Sequence, residues 1–312
     1  LLGDALEAYG EYKGYLKNMS YDYNNFLDTL FVNETYYSFK IDNMSIKKED
    51  MFFMPYKTKS NVTTEFMNMR KALIVGLTES SKFGFDVLLF NKLNRILYSS
   101  CKKDNTTRGS GMLRKKQTFL LKPGLAGSSV SYIPPKHTDL ILLINDLGKY
   151  LNADKERNFV TIARCHYQFE KMHPYMAGNG LIGRLLVSIQ TSCFKKEPPL
   201  LFISESMYAL KNTYFTLLSD SNVEQKEKFI KFFLQCIIDQ CNLNIKKIKK
   251  LNKIYNYDLE KFKTDIGGTT IYKIYPIMLK KVVFTVSDIV TESKWRTYDV
   301  KRFYYLRYKQ IS

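Results

Sequence analysis

The sequence predicts a mainly α-helical protein with one small β-hairpin, and three observations predict it. Apolar residues recur every three to four positions in most segments, which is the period of a helix face. Strict alternation is confined to two short runs between Lys116 and Ile133. Gly109, Gly111, Pro123, Gly124 and Gly127 punctuate the stretch from Cys101 to Pro135, where neither period persists.

Taken in order, Leu1 to Leu30 reads as one or two amphipathic helices. Thr64 to Glu79 reads as a helix that can bury Phe66, Met69, Leu73 and Val75, and Phe85 to Ser99 as a second, strongly apolar one. Lys116–Leu120 and Ser129–Ile133 are the expected hairpin strands. Helices resume at Thr138–Leu151, Asn158–Met172, Leu181–Phe194, Ser204–Ser219 and from Val223 to about Tyr255. The Gly-Gly pair after Asp265 marks a break, so a linker is expected near 258–271. The expected domains are 1–75, a core at 76–257, and a C-terminal module at 271–312.

The 312 residues, 45% of them apolar, suffice for one large domain or a domain with an appendage. No apolar stretch reaches the length that spans a bilayer, and none reads as a signal peptide. Five cysteines without metal-ligand spacing read as reduced thiols of a cytoplasmic protein, and three histidines argue against a zinc site. The net charge of +18 is uneven. Leu243 to Ser312 carry 16 Lys/Arg against 6 Asp/Glu, an excess that suits either a polyanion partner or a lysine-rich composition.

The run from His173 to Arg184 carries the chemistry. Gly178-Asn179-Gly180 is a turn feeding a helix N-terminus, where unpaired backbone N–H groups can hold a phosphate. His173 beside it can take a proton from a hydroxyl, and Arg184, one turn on, can clamp phosphate oxygens. A lone histidine is more often a satisfied core residue; the intact Gly-Asn-Gly context argues for function here. For His166, on its helix face, a core role is the expected one.

This run resembles the signature of the Fic family, His-Pro-Phe-x-(Asp/Glu)-Gly-Asn-Gly-Arg-x-x-Arg. The resemblance extends to His166–Pro174 as the lead-in helix and to Gly111-Met-Leu-Arg114-Lys-Lys-Gln117 with Tyr132-Ile-Pro-Pro135 as the flap that holds a target segment. It continues through Leu200–Ser204 and Tyr214-Phe215, so that it covers roughly residues 1–240. It implies a Fic-fold helical bundle and a protein adenylyltransferase that moves AMP from ATP onto a Ser, Thr or Tyr hydroxyl of a protein target. His173 would be the base, Gly178, Asn179, Gly180 and Arg184 the nucleotide site, and Arg114, Gln117 and Tyr132 the target-binding flap. Tyr175 stands for the usual Phe.

Two positions depart from the signature. Ala177 replaces the carboxylate that would anchor magnesium, which requires oxygen ligands. Leu181 replaces the first arginine. Each loss is worth about 10²-fold in rate by analogy with removed oxyanion donors. The alternatives are therefore a nucleotide-binding pseudoenzyme and a nucleotide-sensing DNA-binding regulator.

Glu34 to Asn43 resembles the family's inhibitory helix, (Ser/Thr)-x-x-x-Glu-(Gly/Asn), with Ser38, Asp42 and Asn43 at its named positions. The resemblance implies that Asp42 pairs with Arg184 and excludes the terminal phosphate. Asp42 is one methylene shorter than the family's glutamate, so the bridge is expected to be loose or water-mediated. The module at 271–312 resembles a truncated winged helix-turn-helix, offering Lys294, Arg296, Lys301 and Arg302 to DNA phosphates. Apolar helical faces would permit a homodimer.

Overall fold

The computed structural model describes residues 1–20, 22–52, 61–98, 110–121, 130–153, 157–219, 223–266, 271–280, 284–294, 296–298 and 300–301. The helices are α1 (Leu2–Lys17), α2 (Tyr23–Ile41), α3 (Lys48–Phe52), α4 (Asn61–Phe83), α5 (Val87–Leu97), α6 (Leu140–Asn152), α7 (Phe159–Met172) and α8 (Asn179–Lys195). They continue as α9 (Ser204–Ala209), α10 (Lys211–Ser219), α11 (Val223–Ile266), α12 (Ile271–Lys280) and α13 (Val286–Ser293). Between α5 and α6, β1 (Leu120–Leu121) pairs antiparallel with β2 (Val130–Tyr132), Leu120 opposite Tyr132.

Local chemistry sets several boundaries. Asp86 caps α5 by accepting from Leu89 N at 2.7 Å, and Asn158 caps α7 from Val160 N and Thr161 N. The expected single helix at Ser204–Ser219 is two, interrupted at Leu210, whose N–H bonds back to Met207 O and whose carbonyl starts α10 by accepting from Tyr214 N. The expected linker at 258–271 is largely helix, because α11 runs on to Ile266. Its apolar period continues through Tyr255 and Leu259, which pack into a core of their own. Residue 75 likewise falls inside α4.

Contacts group the chain into two units. The first comprises 1–9 and 31–241. Its centre is the pair α7 and α8, the latter buried along most of its length from Asn179 to Thr191, packed with Phe90, Leu93, Phe159, Ile162 and Phe169. The second comprises 10–30 and 242–312, with Tyr255, Ile274, Tyr275, Met278, Ile289 and Val300 as a buried cluster. Within it α13 opens on a full capping box between Thr285 and Asp288. Lys294 ends that helix in the left-handed conformation, and Arg302 of the expected DNA-facing set lies outside the described residues. Among the described residues no helix is long and apolar enough to cross a membrane.

Candidate active site

The site is built where α7 ends and α8 begins. His173 caps α7 with its N–H on Phe169 O and takes a left-handed φ of 45°, an uncommon state for a non-glycine residue. The chain then turns through Pro174–Gly178 into α8. Asn179 closes this loop on itself: Oδ1 accepts from Tyr175 N at 2.9 Å and Nδ2 donates to Tyr175 O at 2.8 Å. Its side chain is thus a clasp, and what remains for an anion is the run of backbone N–H groups at the start of α8.

Two of the glycines are required. Gly178 has φ of 80°, and a methyl there would meet the Tyr98 hydroxyl at 2.7 Å. A methyl on Gly180 would meet Arg184 Nη1 at 2.7 Å and Asp42 Oδ1 at 3.0 Å, so this glycine leaves room for that ion pair. Tyr175 lies fully buried beneath the loop, with its hydroxyl on Asn91 Oδ1 at 3.0 Å, which accommodates the extra oxygen relative to phenylalanine.

Arg184 is only 1% exposed, and three hydrogen bonds run from its Nε and Nη2. Nε donates to Ser38 Oγ at 2.8 Å, and Nη2 donates to Ser38 O at 3.0 Å and to Asp42 Oδ1 at 2.8 Å. The bridge to Asp42 is therefore direct, not loose. The shorter side chain reaches because Asp42 sits just past the last residue of α2, where Asn43 turns the chain at φ of 58°. Asn43 bonds elsewhere: its Oδ1 and the carbonyl of Lys40 accept from Lys211 Nζ at 2.7 and 2.9 Å, fixing the end of α2 to α10. Burial works against the Arg184 cation, and Asp42, Tyr214 and Glu170 more than offset it, so the group stays charged.

His173, Glu170, Gly178, Asn179, Gly180, Arg184 and Asp42 line one cavity of about 220 Å³ with Tyr132, Tyr214 and Phe215. That volume is below the roughly 300–1,000 Å³ usual for small-molecule sites, and Asp42 forms part of its wall. A larger cavity of about 520 Å³ beside Leu143, Tyr150 and Met172 has none of these residues. Burial, then the nearby Arg114 cation, pulls His173 down to about 4, so its imidazole is neutral at pH 7. Its Nδ1 is buried and takes no hydrogen bond. His166 has the core role expected: it is 1% exposed, with Nδ1 on Gly183 O and Nε2 on the Tyr214 hydroxyl, both at 3.0 Å. Glu170, to which the sequence assigns no role, has its carboxyl in the same cavity.

The flap residues brace the loop from the other side. Arg114 is 2% exposed, and its Nε donates to His173 O at 2.9 Å, its Nη1 to Lys116 O at 3.0 Å and its Nη2 to Pro135 O. Gln117 Nε2 donates to Pro134 O at 2.8 Å, and Tyr132 receives Lys171 Nζ over its ring at 3.2 Å. These bonds fall where a regular ladder was expected from Lys116, and pairing starts only at Leu120. Arg114→Ala would strand several buried carbonyls and is expected to cost about 3 kcal/mol or more, read from the urea midpoint.

The two signature departures differ in place. Ala177 offers only a methyl, with its carbonyl already accepting from Asn94 Nδ2 at 3.1 Å. Among the described residues no three His, Cys, Asp or Glu gather as a metal site. The residues present do not fit a magnesium ion anchored at the loop. Leu181 is buried at 7% exposure and is not among the residues lining the cavity.

Comparison with known proteins agrees with this geometry. Residues 85–190 match the model of the Fic/DOC family. The protein adenylyltransferases Fic of Drosophila yakuba and Drosophila melanogaster are each 27% identical over 108 residues, 34% of this chain and 21% of theirs. The chain thus spans about a fifth of the length of these curated relatives. A Fic domain containing signaling protein from Bacteroides thetaiotaomicron superposes with TM-score 0.62 at 17% identity, covering 79% of this chain and 97% of that one. A Fic family protein from Desulfovibrio desulfuricans gives 0.63 at 14% identity, over 95% and 85%. The mainly helical fold is thus shared across most of the chain, and residues 85–190, which hold the loop at the junction of α7 and α8, match the Fic/DOC family.

Proposed function

We propose that this chain is a protein adenylyltransferase held off by its own N-terminal segment. The observation that carries the reading is a neutral, buried His173 in one cavity with the Gly178–Gly180 turn and Arg184, whose guanidinium is occupied by Asp42. ATP is the proposed substrate, in keeping with the adenylyltransferase activity that names the Drosophila relatives. The target's hydroxyl oxygen attacks the α-phosphorus, its proton passes to His173, and the bond to the bridging oxygen breaks so that pyrophosphate leaves. Arg184 holds the terminal phosphate once Asp42 withdraws, and the backbone N–H groups of α8 hold the inner ones. No step is assigned to magnesium. The flap, kept in place by Arg114, Gln117 and Tyr132, presents a strand edge on which an extended target segment could pair.

The test is incubation of the Asp42→Gly chain with ATP labelled at the α- or the γ-phosphate, with cell lysate as target. Protein labelled only from the α position supports the transferase. The second reading, a nucleotide-binding pseudoenzyme, is favoured by Ala177 and by the buried Leu181; ATP binding without any label would establish it. The C-terminal module is proposed to face DNA through Lys294, Arg296 and Lys301. A gel shift that weakens with salt, and with Lys301→Ala, would support that contact.

A further inference from the structure

Glu170 lies in the last turn of α7, three residues before His173, which caps that helix. Its side chain is only 8% exposed and lines the cavity with His173, Arg184 and Asp42, yet its Oε1 takes no hydrogen bond. A buried carboxyl oxygen without a donor is costly, and this one has had space made for it. A methyl on Gly183, one residue before Arg184, would fall on that same oxygen inside van der Waals contact.

The groups facing Glu170 are Arg184 from α8, Asp42 at the end of α2, Tyr214 from α10, and His166 and His173 from its own helix. Tyr214 and His166 are bonded to each other, and Arg184 is bonded to Ser38 and Asp42. With Asp42 docked the cavity already balances one cation against one carboxylate. A second buried carboxylate would be uncompensated, and Glu170 is accordingly raised to about 7 by burial, with Asp42 acting the same way and Arg184 opposing. A neutral carboxyl is a hydrogen-bond donor.

We propose that Glu170 is a ligand-contacting residue of this site: its protonated carboxyl donates a hydrogen bond to the terminal phosphate that Arg184 clamps, in a site where Leu181 supplies no cation. The proposal rests on the reading that the cavity takes a nucleotide. A phosphate that replaces Asp42 restores the same charge pattern, one anion against Arg184, so Glu170 keeps its proton in the complex. In the chain without Asp42 and without ligand, Glu170 ionises against Arg184. Binding a phosphate there must then take up a proton.

The experiment is calorimetric titration of ATP, and separately of inorganic tripolyphosphate, into Asp42→Gly and Asp42→Gly/Glu170→Gln chains from pH 6 to 8.5 in metal-free buffer. The Asp42→Gly chain is expected to lose affinity by up to about tenfold as the pH rises from 6 to 7, where Glu170 is ionised in the empty site and protonated in the complex, and to level off above that. Glutamine keeps the shape and an N–H donor but cannot ionise, so the double variant is expected to bind with little change over that range. Both chains share the titration of the ligand and of His173, so the difference between them isolates Glu170. Equal pH slopes in the two chains overturn the proposal. Repeating the Asp42→Gly titration at pH 6 in buffers of different ionisation enthalpy tests it without touching Glu170: uptake approaching one proton supports it, and no uptake overturns it. Tripolyphosphate that binds with the expected slope while ATP does not would sink the nucleotide reading and leave Glu170 in its role. If neither ligand binds at any pH, both readings fall. Gly183→Ala in the Asp42→Gly background, which pushes the carboxyl out of its niche, is expected to weaken tripolyphosphate binding at pH 6 at least tenfold; an unchanged affinity would count against the contact.

Discussion

Asp42→Gly is expected to tighten ATP binding about ten- to a hundredfold. Arg184 is buried and its bond to Asp42 Oδ1 is 2.8 Å, so the terminal phosphate and the carboxylate compete for one guanidinium. The carboxylate is not fully enclosed: the Asp42 side chain is 29% exposed, which screens the pair and keeps the expected gain within the usual 1–3 kcal/mol of a coupling free energy. The brake is local. Ser38 holds two further bonds to Arg184, and Lys211 fixes the end of α2, so release needs only the segment after Ile41 to move. The same substitution leaves a buried cation short of its partner, so the empty variant should unfold at a lower temperature and recover on adding ATP. An affinity equal to that of the unaltered chain would show that Asp42 does not compete with the ligand.

His173→Ala, introduced beside Asp42→Gly, is expected to lower label transfer by about 10²–10⁴-fold while leaving the ATP dissociation constant nearly unchanged. Its role is proton removal from the hydroxyl, not clamping of phosphate, which separates the two readouts. The pH profile gives a second check. A lowered value means that the neutral base persists down to about pH 4. At saturating ATP the rate should therefore be flat between pH 6 and 7.5 and fall only toward pH 4. An acid limb near 6.5, where an unperturbed histidine titrates, would place His173 outside this environment in the working enzyme. Restoring a carboxylate with Ala177→Asp then tests whether the missing anchor limits the rate that remains.

Helices were legible wherever the 3.6-residue period was long. The helices α7 and α8 lie within a residue or two of their expected bounds, with Asn158 and Asp86 turning out to be the caps of α7 and α5. The last turns of α11 were not legible: the helix was expected to end near Tyr255 with a linker from 258, but apolar residues up to Leu259 have a core to pack into and carry the helix to Ile266, just before the Gly-Gly pair in the sequence. The flap was legible as a hairpin and not in register. Alternation over five residues cannot show that Arg114 turns its side chain to the His173 carbonyl and Gln117 to that of Pro134, with regular pairing starting only at Leu120.

By itself the sequence determined the loop. His173, the Gly-Asn-Gly turn and Arg184 are neighbours in the chain, and a helix end followed by a helix start places them within reach of one another whatever surrounds them. It also determined what is missing, since no fold gives a methyl at 177 an oxygen. Tertiary structure decided what meets that loop from afar. Asp42 is 142 residues from Arg184 and became its partner because α2 ends against α8. Glu170 was visible in the last turn of α7, but only the packing of α7 on α8, with Gly183 clearing the space, sets its carboxyl in the cavity. Periodicity reports which face of a helix is buried. It does not report what that face is buried against, and for a carboxyl the surroundings decide whether it carries a charge or a proton.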